Sequence, residues 1–246
     1  MKFNYVSKKL IEAIDHKSRY LRFRVPYLNL LSHRYFSINQ IDFQLEKLFN
    51  KERGFYCELG ANNGIRQSNT AHFEFYKKWH GVLIEPYTAN YKSCIRNRSK
   101  KNAFYRAACV SSDFVEKDIE LHYVDLMSYT PSTAHQLIDP ETHHKNGLKH
   151  LQKGDVAKIV VVPAMTLTNI LISVKAPKNM DLLSLDVEGA EINVLEGLDH
   201  QEYRFEYMCI ESRDVKALSD YLERHEYTLV GKLSPHDYLY KDNFRT

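Results

Sequence analysis

Apolar positions along the chain fall into short buried runs separated by amphipathic stretches, the pattern of alternating strands and helices in an α/β domain. After an interruption at Pro26, a stripe of Ile41, Leu45, Leu48 and Phe49 between Ile38 and Phe49 has helical spacing and marks the start of the domain proper. Phe55 to Leu59 predicts a first strand ending in a glycine-containing turn, and Ser68 or Asn69 supplies an N-cap for a helix through Trp79. Val82-Leu83-Ile84 is expected as a second buried strand closed by Glu85-Pro86, with a helix near Asn90 to Arg96 after it. Ala103 to Val110 is expected as a single third strand. Further strands are expected at Ile119 to Val124, Lys158 to Val162, Leu182 to Leu185 and Tyr207 to Ile210. Helices are expected at Leu167 to Val174, from near Gly189, and at Val215 to Arg224, and Tyr227 to Val230 with Tyr238 to Tyr240 predicts a terminal hairpin. The sum is a doubly wound, mostly parallel sheet with a C-terminal antiparallel hairpin, whose ligands bind at the carboxyl ends of the strands.

Two stretches break this pattern. Asp125 to Asp155 is polar and rich in Ser, Thr and His, and a long unpatterned segment inside a domain is usually functional; it is expected to be a lid or substrate loop with His143-His144 exposed on it. Residues 1–37 form an extension to a domain of residues 38–246. There Lys2, Lys8, Lys9, Lys17, Arg19, Arg22 and Arg24 interleave with Phe3, Val6, Leu10 and Ile14 at helical spacing. Such a basic amphipathic segment suits either a peripheral contact with an anionic membrane or, the preferred reading, an accessory helix packed on the domain.

Composition narrows the classes. A chain of 246 residues that is 43% hydrophobic can bury the core of one catalytic domain. A formal charge of +3, from 34 Lys and Arg against 31 Asp and Glu, is too small to imply a nucleic-acid partner. Cys57, Cys94, Cys109 and Cys209 show no paired spacing and are expected to be reduced and structural. No run approaches the roughly twenty apolar residues of a membrane span, and the start of the chain lacks a signal-peptide core, so a cytoplasmic location is expected.

Candidate chemistry gathers at predicted strand ends. Glu58, Glu85, Asp186 with Glu188, and Glu211 all stand at the carboxyl ends of strands or just beyond. In Glu58-x-Gly60-x-x-x-Gly64, Gly60 lets the turn pass close beneath a ligand and Gly64 relieves crowding ahead of the next helix. Asn62 occupies the second glycine position of the dinucleotide fingerprint, which speaks against a pyrophosphate there. Glu85, about twenty residues on, is placed to accept hydrogen bonds from ribose hydroxyls. These features support a nucleoside pocket and still admit a nicotinamide-dependent oxidoreductase.

Several blocks, taken in order, resemble the FkbM family of S-adenosylmethionine-dependent methyltransferases. Phe55 to Gly64 with Ser68-Asn69-Thr70 is similar to the family's first cofactor loop, Trp79 to Pro86 to its second strand, and Ala107 to Ser111 to its third. Leu182 to Leu185, continuing Asp186-Val187-Glu188-Gly189-Ala190-Glu191 and Val194-Leu195-Glu196-Gly197, is similar to its most recognisable signature. The likeness spans roughly Gln40 to Leu239.

That resemblance implies a Rossmann-like class I methyltransferase using S-adenosyl-L-methionine for O-methylation of a sugar, glycan or small secondary metabolite. It assigns Glu58, Gly60, Asn62 and Gly64 to the methionyl part, with Ser68 and Asn69 at its carboxylate or acting only as caps. Glu85 goes to the ribose, and Ala108 lies near the adenine. Glu188 is the expected base and Asp186 orients cofactor or acceptor, although Glu188 equally suits the start of the next helix, where Glu191 closes a capping-box-like turn. A divalent cation on Asp186, Glu188 and Glu211 is possible, but no spacing indicates it. A non-catalytic cofactor-binding module is the alternative from another class. Nucleic-acid base methylation is disfavoured because Leu-Asp-Val-Glu stands where an Asn/Asp-Pro-Pro-aromatic run would be expected.

Overall fold

The computed structural model describes residues 34–245 apart from 138, 152 and 153; most of the basic extension, residues 1–33, lies outside the described residues. The strands are β1 (Phe55–Leu59), β2 (His80–Ile84), β3 (Ala103–Tyr105), β4 (Ala108–Cys109), β5 (Asp118–Tyr123), β6 (Lys158–Met165), β7 (Asn179–Leu185), β8 (Arg204–Glu211), β9 (Tyr227–Lys232) and β10 (Asp237–Asp242). The helices are α1 (Ile41–Glu46), α2 (Ala71–Lys77), α3 (Thr88–Asn97), α4 (Pro140–Leu148), α5 (Leu167–Ser173), α6 (Glu191–Glu196) and α7 (Val215–Arg224).

Seven strands form the main sheet in the order β3-β2-β1-β7-β8-β10-β9. All run parallel except β10, which is antiparallel to β8 and β9 and so forms the expected hairpin. Strand order reverses direction between β1 and β7, and the carboxyl ends there open onto the site, as in doubly wound sheets generally.

Because side chains alternate across a strand, each parallel strand feeds two cores. Cys57 and Leu59 of β1, Val82 and Ile84 of β2, and Leu183 and Leu185 of β7 pack with Leu167 and Ile170 of α5, Val194 of α6 and Leu222 of α7. On the other face Tyr56, Leu83, Leu182 and Cys209 meet Ile41 and Leu45 of α1, Phe73 of α2, Phe49 and Trp79. All four cysteines are buried and free. No helix among the described residues is long and apolar enough to cross a membrane.

The structure departs from the expected pattern in two places. Ala103 to Val110 is two strands: β3 closes the edge of the main sheet, whereas β4 pairs with β6 in a separate sheet of order β4-β6-β5. The chain of β2 ends at Ile84, so residues beyond Tyr105 have no partner there and find their ladder on β6. The stretch expected to be an irregular loop carries a short 3₁₀ turn at Asp125–Met127, an antiparallel bridge from His122 to Tyr129, and α4. Asp139 caps α4 by accepting from the Thr142 N–H, and Pro140 fills its first turn, where a missing N–H does no harm.

Candidate active site

A cavity of about 350 Å³ lies at the carboxyl ends of β1, β2, β7 and β8, roofed by the segment after β5 and by the β9–β10 turn. Of the residues singled out in the sequence, Gly60, Asn62, Asn69, Glu85, Ala108, Asp186, Glu188 and Glu211 line it. Glu58, Gly64 and Ser68 do not.

The floor begins at the turn after β1. Gly60 has φ +77°, and a Cβ there would lie 2.1 Å from the Asp186 carbonyl oxygen, so glycine alone lets β1 and β7 deliver their ends side by side. Asn62 donates its backbone N–H to Glu85 at 2.8 Å, and the other Glu85 oxygen accepts from the Tyr87 N–H at 2.8 Å. Burial pushes the Glu85 carboxyl up to about 7, against the pull of those two amides. Ala107, Ala108, Cys109 and Leu121 provide an apolar wall beside it.

Glu58 serves a different purpose. It shares a face of β1 with Tyr56, two residues back, and that face points away from the cavity toward α2 and α3. Its carboxylate accepts from Ser68 Oγ at 2.9 Å, Thr70 Oγ1 at 2.6 Å and the Asn69 N–H at 3.0 Å. The fully buried Arg98 completes this network, donating to Glu74 at 2.8 Å, the Gly64 carbonyl at 2.8 Å and Tyr56 Oη at 2.8 Å, with Glu58 at 3.4 Å. Ser68 Oγ also accepts from the Ala71 N–H at 3.0 Å, although the N-cap position of α2 is Thr70 rather than the expected Ser68 or Asn69. Asn69 hangs from this scaffold into the cavity: its Nδ2 donates to Ser184 Oγ at 3.1 Å, and its buried Oδ1 has no hydrogen-bond partner among the described residues. Nothing in the sequence marked Arg98, since a lone arginine after a helix looks like solvent-facing charge.

Across the cavity, β7 and β8 bring Asp186, Glu188 and Glu211 together, with one oxygen of each within 4.8 Å of the others. Glu188 has φ +54° and is followed by Gly189 at φ +95°, a left-handed pair that swings the carboxylate toward β8. Glu191 fixes the bend, its Oε1 accepting from the Gly189 N–H at 3.0 Å and the Val187 N–H at 3.3 Å, as the expected capping turn requires. Burial and the neighbouring Glu211 raise the Glu188 carboxyl to about 8, while Arg213, 3.4 Å away, pulls the other way. Asp186 is also raised, by its enclosed position and by Glu211 and Glu188, although its exposure to cavity water tempers the effect. Asp186 and Glu188 therefore titrate together rather than singly.

The roof contributes residues that the polar composition concealed. His143 is buried on α4, not exposed, with Nε2 2.9 Å from the Met127 carbonyl and 3.7 Å from Glu188. Asp125 meets Arg66 in a two-oxygen pair at 2.7 and 2.9 Å, tying the roof to the loop after β1. The Asp139-Pro140 step, a capping residue followed by proline at the first helical position, is the signal the sequence carries for α4.

This sheet, with a glycine turn after β1, an acidic side chain ending β2 and a reversed β10, defines a Rossmann-like enzyme of the methyltransferase type. Within that class, a methyltransferase FkbM domain matches residues 58–229, and the chain belongs to that family. It is an S-adenosylmethionine-dependent methyltransferase. No curated protein matches the chain. Similar solved structures include a fibrillarin/Nop5p complex, at 11% identity and TM-score 0.41 over 89% of this chain and 82% of that one. Another is the precorrin-6y C5,15-methyltransferase of Geobacter metallireducens GS-15, at 11% identity and TM-score 0.37 over 81% and 86% of the two chains.

Proposed function

We propose that the chain transfers the methyl group to a hydroxyl oxygen of a sugar or glycan. The observation that carries this reading is the carboxyl group of three, Asp186, Glu188 and Glu211, held against Arg213 at the edge of the cavity. Asp237 and Asp125 add further oxygens to the same lining. A cavity rich in acceptors favours a ligand rich in O–H donors.

The chain's own residues fit the donor. The orphaned Asn69 Oδ1 is an acceptor for the ammonium of the methionyl part, and Gly60 keeps side-chain bulk out of the path beneath it. Glu85 presents carboxyl oxygens for ribose hydroxyls, and the wall of Ala107, Ala108 and Leu121 suits the adenine. When bound, S-adenosylmethionine supplies a methyl already activated on a sulfonium. The protein then has to align the acceptor oxygen and take its proton. Glu188 is the proposed base, because its raised proton affinity lies close to neutrality and Arg213 steadies the anion it must first become. Asp186 orients the acceptor, and the Glu58–Arg98 network holds the loop without touching either ligand.

Calorimetric titration of the purified chain with S-adenosylmethionine, followed by mass spectrometry of a glycan panel, tests the reading. Binding followed by gain of one methyl on a sugar hydroxyl is expected. Transfer only to small secondary metabolites would replace the acceptor class, and binding without any transfer would favour a non-catalytic module.

A further inference from the structure

A second concavity lies at the opposite end of the main sheet. It gathers the amino ends of β1, β2, β3 and β7 and the chain after α5. Its lining is strongly basic: Lys51, Arg53, Lys101, Lys175 and Arg245 surround it, with His80 at the edge. Asp181 is the single carboxylate in the lining, and it is already engaged by Lys51 and by the Phe55 N–H at 2.7 Å. Arg245 lies 3.7 Å from Glu206. Arg53, Lys101 and Lys175 form no ion pair among the described residues and are exposed to solvent.

The placement of two of these cations is unusual. Arg53 and Lys175 have φ of +63° and +53°, in the left-handed region where glycine or asparagine is the usual choice. The Lys175 N–H closes α5 on the Ile172 carbonyl at 3.0 Å, and the Arg53 N–H is held by the Lys77 carbonyl at 2.9 Å. Both turns would form more readily with glycine or asparagine, yet each carries a long cationic residue that lines the same hollow. Beneath them Phe55, edge-on to His80 at 5.3 Å, lies with Ala103, Val174 and Pro177 to give an apolar floor.

We infer that this hollow is an anion site for a phosphate-bearing ligand carrying more than one negative charge, whether a free polyphosphate compound or the phosphorylated headgroup of a lipid. Three unpaired cations around a concave floor concentrate positive potential, and a compact multivalent anion meets them together. A singly charged carboxylate satisfies only one. The site is separate from the methyl-transfer cavity: β1 runs from Phe55 at one to Leu59 at the other, roughly 13 Å at the rise of a strand.

Trp79, the chain's single tryptophan, lies behind the lining, next in sequence to His80 and bonded to the backbone of Lys51. It is buried against Gly54, and its Nε1–H donates to the Lys51 carbonyl at 3.2 Å. Inorganic tripolyphosphate at low ionic strength is expected to change Trp79 fluorescence saturably, with an effect that weakens as salt is added. In the double variant Lys101→Glu/Lys175→Glu the apparent affinity should fall at least tenfold at an unchanged melting midpoint, because both residues are exposed. A second arm uses vesicles of phosphatidylcholine with and without phosphatidic acid. Co-sedimentation of wild type with the acidic vesicles, displaced by tripolyphosphate and absent in the double variant, identifies a lipid headgroup as the source. Saturable tripolyphosphate binding without vesicle binding identifies a soluble ligand. Equal responses from wild type and variant in both arms, or no response from either, overturns the site.

Discussion

At the scale of single residues, the contrast between Glu58 and Glu188 is instructive. Both are acids at strand ends, and both are expected from the sequence to meet the ligands. One step of strand alternation sends Glu58 to the far face, where four groups already bond to it, while a left-handed turn sends Glu188 into the cavity. If Glu188 is the base, kcat/KM should rise with pH through an apparent value near 8, because only the deprotonated form accepts the acceptor's proton. Glu188→Gln should lower kcat about a hundredfold or more and leave donor affinity nearly unchanged, a pattern that steady-state kinetics beside calorimetry resolves. Unchanged turnover would remove Glu188 from the role.

At the scale of elements, helices α2 and α3 are joined through Arg98 rather than by apolar packing alone. Arg98→Ala leaves Glu58 and Glu74 buried without their cation, a change that typically destabilises by about 3–5 kcal/mol. For a domain of this size that corresponds to a melting midpoint lower by roughly 10 °C, measurable by scanning calorimetry. Arg98→Lys should recover only part of it, since an ammonium cannot reproduce the planar fork. A midpoint within experimental error of wild type would mean that water replaces the network. The elements of the sheet were legible in the sequence because their periods are strong: the span of α7 and both strands of the hairpin follow from it directly. The division of β3 from β4 was not legible, since partner choice is a property of neighbouring strands and not of the run itself. Helix α4 was obscured because it buries little beyond His143 and Gly147, leaving no apolar stripe to detect.

At the scale of the whole molecule, pH acts on the fold as well as on the site. His200 is buried between α6 and α7, its ring stacked on His225 at 4.1 Å, and burial followed by the charge of His225 lowers its proton affinity to about 3. The unfolded chain takes up a proton below about 6.5 that the folded chain refuses, so this residue's contribution is complete above that pH and declines as pH falls. The raised carboxyls Glu85, Glu188 and Glu191 act in the opposite sense, being stabilised in the fold as acid is added. Only a difference isolates the histidine: between about pH 7.5 and about pH 5.5 the midpoint of His200→Gln should fall less than that of wild type. Parallel curves would show that His200 finds a proton inside the fold. As for the site, Gly60, Asn62 and Glu85 were legible as cavity residues because the β1 and β2 ends alone set them, whereas Glu58, Gly64 and Ser68, expected beside them, do not line the cavity. The rest of the cavity depends on chain segments that meet only in three dimensions, among them those carrying Asp125 and Asp237, with His143 behind Glu188.

The reversal of β10 has a further consequence for how such an enzyme diversifies. Because β9 and β10 run in opposite directions, the turn joining them, with Ser234, Pro235 and His236, projects over the cavity, just as the chain between β5 and β6 does. Both segments leave and rejoin their sheets at the same end, so lengthening or exchanging them alters no strand register. Under the proposed function, acceptor choice is carried on these interchangeable parts while the donor pocket is built into the sheet. Grafting either segment between relatives is therefore a direct way to retarget the enzyme without refolding it.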